Sequence, residues 1–169
     1  TPVVFLDPNK MSDDGTAAVT LMGASKDNKY MAYSINMAGS DWQNIYVMEI
    51  ASMKKLDDEL KWVKFSGAAW KDDGFFYSRY DAPKEGTELS GKNEFHKIYY
   101  HKLGTNQSAD KLIYSDPKHP LRYFGSETTE DERFLIVNVS QGTDGTELYA
   151  KDLNNGQKDF IRIFEGFDD

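Results

Sequence analysis

Ile45-Tyr46-Val47-Met48-Glu49-Ile50, Ile98-Tyr99-Tyr100-His101-Lys102-Leu103 and Leu148-Tyr149-Ala150-Lys151-Asp152-Leu153 share one pattern: branched aliphatic, tyrosine, three variable positions, branched aliphatic. The tyrosines stand 53 and then 50 residues apart, a period that marks a repeat architecture rather than one continuous core. Upstream of each motif lies a second recurrence: Lys26-Asp27-Asn28-Lys29-Tyr30, Lys71-Asp72-Asp73-Gly74-Phe75 and Glu130-Asp131-Glu132-Arg133-Phe134. Each places an aspartate three residues before an aromatic. Aspartate and its Asn and Gly neighbours favour tight turns, and the aromatic opens a strand, so each reads as a hairpin turn.

The strands after these turns are Tyr30–Ile35, Phe75–Tyr80 and Phe134–Val139, rich in aromatic and β-branched residues. Before the first two turns sit short strands of small or apolar residues, Thr20–Ala24 and Phe65–Trp70, whose size lets neighbouring sheets approach near a crowded axis. A fourth strand follows each tyrosine strand: Leu60–Lys64, Lys111–Tyr114 and Phe160–Phe164. Four antiparallel strands in about 50 residues is the size of a β-propeller blade. The expectation is an all-β chain of about three four-stranded blades, forming one partial domain over 1–169. Residues 1–18 would end a preceding blade, with blades at 19–65, 66–118 and 119–169. The one helical segment expected is a brief one near Lys54 to Glu59, with Asp57-Asp58-Glu59 read as a solvated turn. Asp81 to Glu94, with Pro83, Gly86 and Gly91, reads as an irregular connection.

Composition narrows the function classes. A 169-residue chain with 39% hydrophobic and 14% aromatic content can bury a real core. A net charge of −8 argues against nucleic acid or an anionic membrane as partner, because both reward a basic surface. No cysteine is present, which removes disulfides, thiolate zinc sites and a cysteine nucleophile. No apolar run approaches the roughly 18 residues that span a bilayer, and no signal-like segment opens the chain, so a soluble protein, cytoplasmic or periplasmic, is expected. The start at Thr1-Pro2, without an initiator methionine, is what a mature or excised product would show.

Catalytic signatures do not emerge from the residues themselves. There is no Gly-x-Ser-x-Gly elbow, and Ser140-Gln141-Gly142-Thr143-Asp144-Gly145 has the spacing of a turn. His96 and His101 are five apart and face opposite ways on a strand, so they cannot share a metal; with His119 in a loop, all three read as surface or packing residues. The adjacent acid pairs Asp13-Asp14, Asp57-Asp58, Asp72-Asp73 and Asp168-Asp169 point apart along a strand and read mostly as turn residues. No metal site or cofactor is expected.

Several blocks are more specific. Gly39-Ser40-Asp41-Trp42, Trp62-Val63-Lys64-Phe65-Ser66 and Ala69-Trp70 closely resemble the propeller domain of the prolyl oligopeptidase family. So do Phe5-Leu6-Asp7-Pro8-Asn9 with Ser12-Asp13-Asp14-Gly15-Thr16, and Lys97–Thr105 with Gln107-Ser108. The blocks run in family order across nearly the whole chain. The resemblance implies a seven-bladed propeller capping an α/β-hydrolase domain whose Ser, Asp and His cut short peptides after proline. This chain would supply about three blades and lack the catalytic domain, which is its partner in cis.

The resemblance also nominates site residues. Asp41 matches an aspartate that pairs with a substrate-holding arginine of the hydrolase domain; read alone it would be an Asx-turn residue. Phe65 matches an aromatic lining the pocket on the non-prime side of the proline, and Tyr123 falls where mammalian members carry a pocket-lining methionine. The alternative reading is a non-catalytic propeller serving as a protein-interaction platform. In either case three blades leave two open faces, through which self-association is expected.

Overall fold

A computed structural model describes residues 4–10, 16–36, 40–87, 91–143 and 145–167. Gly39, Asp144, the Asp13-Asp14 and Asp168-Asp169 pairs and the Ser12–Gly15 part of one family block therefore lie outside the described residues. Among the described residues, twelve strands in three antiparallel meanders make up almost all of the regular structure. The first meander is β1 (Ala18–Ala24), β2 (Tyr30–Asn36), β3 (Gln43–Glu49) and β4 (Lys54–Val63). The second is β5 (Ala69–Lys71), β6 (Gly74–Arg79), β7 (Lys97–Lys102) and β8 (Lys111–Ser115). The third is β9 (Tyr123–Thr128), β10 (Phe134–Ser140), β11 (Thr146–Asp152) and β12 (Ile161–Glu165). These are three four-stranded blades, the first two joined in one hydrogen-bonded sheet through the single pair Val63↔Arg79. No helix among the described residues is long and apolar enough to cross a membrane.

The recurring turns form as their chemistry dictates, with one refinement. In the first blade Asp27 accepts hydrogen bonds from the Ser25 hydroxyl and the Lys29 amide, and the Ser25 oxygen accepts the Tyr30 amide. The third blade repeats this bond for bond with Thr129, Asp131, Arg133 and Phe134. Asn28 and Glu132 take left-handed conformations at φ 56 in both. The middle blade closes with only Asp72-Asp73 between the paired Lys71 and Gly74, and there Asp72 carries the positive φ, 52. Serine or threonine two positions before the aspartate distinguishes the longer turns from the shorter one.

Two sequence expectations are corrected. Lys54–Glu59 is not helical; it is the first part of the ten-residue strand β4. Leu56, Asp58 and Leu60 point inward while Lys55, Asp57, Glu59 and Lys61 stay exposed, an alternation of period two, and Asp58 is buried rather than in a solvated turn. The strand expected over Phe65–Trp70 pairs only from Ala69. Phe65 adopts φ 52, and the Ser66 hydroxyl oxygen takes the Ser78 amide, so the stretch leaves the ladder.

The core lies between blades rather than inside any one of them. Ala32, Ile45, Val47, Leu60 and Val63 of the first blade pack on Trp70, Phe75 and Tyr77 of the second. Ala69, Phe76 and Ile98 on the other side of the second blade pack on Phe124, Leu135, Val137 and Val139 of the third. Strand β6 faces both seams, and five of its six residues are buried as a result. Polar side chains stitch the seams: the Trp70 indole donates to the Gly23 carbonyl, the Ser78 hydroxyl to the Phe124 carbonyl, and the Thr128 hydroxyl to the Trp70 carbonyl. The ends of the first strands, including Gly23, Ala24, Ala69, Trp70, Ser126 and Thr128, line a common cleft of about 760 Å³. The small side chains of Ala24, Ala69 and Ser126 and the bare Gly23 permit that convergence.

Candidate functional site

Antiparallel pairing places the starts of β3, β7 and β9 and the ends of β4 and β6 on one rim, opposite the aspartate turns. That rim gathers aromatic residues. Trp42 meets Trp62 edge-on at 5.6 Å and Tyr80 at 6.1 Å, Tyr80 lies 4.5 Å from the His96 ring, and His96 stacks on Phe124 at 5.8 Å. Phe65 closes the series, 6.4 Å from His96 and 5.0 Å from Tyr123. Lys64 is buried beside it, its ammonium 4.0 Å above the Trp42 ring, where the π-face stabilises the charge.

The three nominated residues occupy this rim, and two of them touch. Phe65 and Tyr123 form a ring pair, with Phe65 59% exposed, an uncommon state for a phenylalanine held at positive φ. Phe95, the residue before His96, is also exposed at φ 61, so the rim concentrates left-handed bulky residues. Asp41 is exposed just ahead of β3. The Ser40 hydroxyl oxygen accepts the Trp42 amide at 3.1 Å.

The histidines are packed, not superficial, apart from His119, which sits half-exposed with Nδ1 at 2.6 Å from Asp116. His96 and His101 face different seams, as their odd spacing requires. His96, in the residue before β7, lies between the Lys64 carbonyl and the Phe124 amide. His101 is fully buried between two carboxylates, with Nε2 2.8 Å from Asp58 and Nδ1 2.7 Å from Asp110.

The surroundings of His101 define its charge. Asp58 also accepts the Gly104 amide, and Asp110 accepts the Tyr77 hydroxyl, so both side chains act as acceptors toward their other neighbours as well as toward the ring. Each imidazole nitrogen therefore donates, which is the imidazolium form. Burial works against that charge, but Asp110 and Asp58 overcome it and push the His101 pKa up to about 9. Asp58 comes from the first blade and His101 with Asp110 from the second, so the triad is an ionic bridge across the seam. Sequence reasoning found neither the bridge nor the His96 contacts, because Asp58 and the two partners of His96 lie 28 to 43 residues away, and Asp110, only nine away, is separated from His101 by a turn.

Comparison with known proteins gives one answer. The model of the N-terminal β-propeller domain of prolyl oligopeptidase matches residues 1–169. Prolyl endopeptidase of Elizabethkingia meningoseptica is 51% identical over 166 residues, covering 98% of this chain and 23% of the relative. Prolyl endopeptidase of Elizabethkingia miricola is 49% identical over 166 residues with the same coverage. Among solved structures, one from a mechanistic study of two prolyl endopeptidases superposes with TM-score 0.85 at 33% identity, over 98% of this chain and 23% of that one. Prolyl oligopeptidase B from Galerina marginata, bound to a 35mer hydrolysis and macrocyclization substrate, gives TM-score 0.83 at 30% identity, over 95% and 24%. The chain thus spans about a quarter of the length of the curated relatives it matches.

Proposed function

The chain belongs to the prolyl oligopeptidase family, within its N-terminal β-propeller domain, and on that premise we propose that it is a section of the substrate-gating propeller of a proline-specific serine endopeptidase. The section comprises the end of one blade (1–18) and blades at 19–65, 66–118 and 119–169. Serine nucleophile, imidazole base and aspartate belong to an α/β-hydrolase domain elsewhere in the parent protein, which cleaves short proline-containing peptides. The 169 residues alone are catalytically silent.

One observation carries this reading: Asp41, Phe65 and Tyr123 share a single rim, with an exposed carboxylate at one place and an aromatic pair, its Phe65 exposed, at another. A domain seated on that rim meets both. Asp41 aligns a guanidinium of the hydrolase domain through a bidentate pair and so fixes a substrate contact without joining the chemistry. Phe65 and Tyr123 offer an apolar wall to the peptide.

Asp41→Ala in the full-length parent is expected to lower kcat/KM for a proline-containing chromogenic peptide about 10- to 100-fold, the loss of one charge-assisted hydrogen bond. Unchanged activity removes Asp41 from the site. The same peptide is left intact by the 169-residue chain, and cleavage by the purified chain would overturn the assignment.

The open faces support a second expectation. Strand β12 is exposed along its whole length, with Ile161 at 61% and Ile163 and Phe164 more than half exposed, and Leu21 on β1 is similarly bare. In the ring these faces meet further blades; in the isolated chain they drive self-association. Sedimentation velocity should show mass rising with concentration, and a monomer at every concentration would count against it.

A further inference from the structure

We infer that His96 is a positioning residue that sets the separation and orientation of the Phe65–Tyr123 pair. This rests on the reading above that the pair meets the peptide. The geometry is specific. The Lys64 carbonyl belongs to the residue immediately before Phe65, and the Phe124 amide to the residue immediately after Tyr123. His96 binds both, with Nε2 3.0 Å from the carbonyl and Nδ1 2.8 Å from the amide nitrogen. One imidazole from the second blade thereby ties the connection leaving β4 to the first strand of the third blade.

The partners dictate the tautomer. A peptide N–H can only donate, so Nδ1 accepts and carries no proton; a carbonyl can only accept, so Nε2 carries one. The ring is 1% exposed, held between Tyr80 at 4.5 Å and Phe124 at 5.8 Å. It is a rigid neutral spacer. Burial, partly opposed by the bond to Lys64, lowers its pKa to about 4, in keeping with the role. The aromatic pair needs such support, because Phe65 is mostly exposed and sits at φ 52, with few contacts of its own to hold that backbone.

Two measurements test this. In the 169-residue chain, nitrogen-15 shifts of the His96 ring should report the Nε2–H tautomer from pH 8 to pH 5, with ring-to-ring NOEs between Phe65 and Tyr123. An Nδ1–H ring, an imidazolium at pH 7, or absent NOEs overturns the inference without any variant. In the full-length parent, kcat/KM is compared for two proline peptides that differ only in carrying leucine or glycine at the position facing the pair. His96→Phe keeps the ring volume and loses both bonds. It should lower kcat/KM for the leucine peptide about tenfold, through KM, and leave the glycine peptide within about twofold. His96→Gln, which can still donate to Lys64, should recover part of the loss. An equal fall for both peptides would show a structural role only and refute positioning. Phe65→Ala separates the two levels: if it leaves the leucine preference intact, the reading of the pair as a peptide wall fails; if it abolishes the preference while His96→Phe does not, the inference about His96 alone fails.

Discussion

Replacing His101 with alanine is expected to lower the unfolding free energy by about 3–5 kcal/mol, because it removes the cation from between two buried carboxylates and leaves them uncompensated across a blade seam. The pH dependence gives the sharper signature. Since the folded His101 pKa is raised to about 9 from 6.5, the folded state holds a proton that the unfolded chain releases between those values. Its stabilisation is complete below pH 6.5 and is lost as pH rises toward 9. His96 has the opposite sign. With its pKa lowered to about 4, the unfolded state binds the extra proton between pH 4 and 6.5, so stability falls as pH drops through that window. His96, just before β7, and His101, within it, therefore narrow stability from both ends, with a maximum near pH 6.5. In His101→Ala the alkaline loss should disappear, because the group that releases its proton between pH 6.5 and 9 is gone. Urea midpoints measured from pH 5 to 9 check this. A variant that loses less than about 1 kcal/mol, or retains the wild-type alkaline slope, would show that the bridge contributes little.

What the sequence made legible was local, and what it concealed was not. The tyrosine motifs and aspartate turns could be read because each is a short-range rule: alternation along a strand, and side-chain bonds that close a turn within five residues. Strand β4 was misread where Asp58 occupies an inward position between Leu56 and Leu60, which hid the alternation. An aspartate belongs there because His101 arrives from the next blade, 43 residues on, and nothing local announces that. The site shows the same division. Family blocks pointed to Asp41, Phe65 and Tyr123, and the antiparallel order of the strands put them on one rim. The left-handed backbone of Phe65 and the His96 spacer depend on a seam between blades, and their residue types gave no sign of it. In the stretch before β3 it is Ser40, one residue ahead of Asp41, whose hydroxyl oxygen accepts the Trp42 amide.

The same seam logic predicts a graded response at the three equivalent aromatic positions after the turns. Phe75 is fully buried, with the Trp70 ring at 5.1 Å and the His101 ring at 5.7 Å, whereas Tyr30 and Phe134 in the flanking blades are only partly covered. A middle blade has neighbours on both faces and a terminal one does not. Phe75→Ala is therefore expected to cost about 3–5 kcal/mol, the range for truncating a buried phenylalanine and leaving its cavity. It should also loosen the His101 bridge, whose imidazolium packs on that ring. Tyr30→Ala and Phe134→Ala should cost only about 1–2 kcal/mol each, in proportion to the area they bury. Chemical denaturation of the three variants in parallel tests the order. Equal losses at all three positions would mean that the blades are stabilised internally, and the account of a core lying between them would have to be abandoned. In a longer piece of the parent with a further blade packed on β12, the cost at position 134 should rise toward that at 75, since only the missing neighbour distinguishes them.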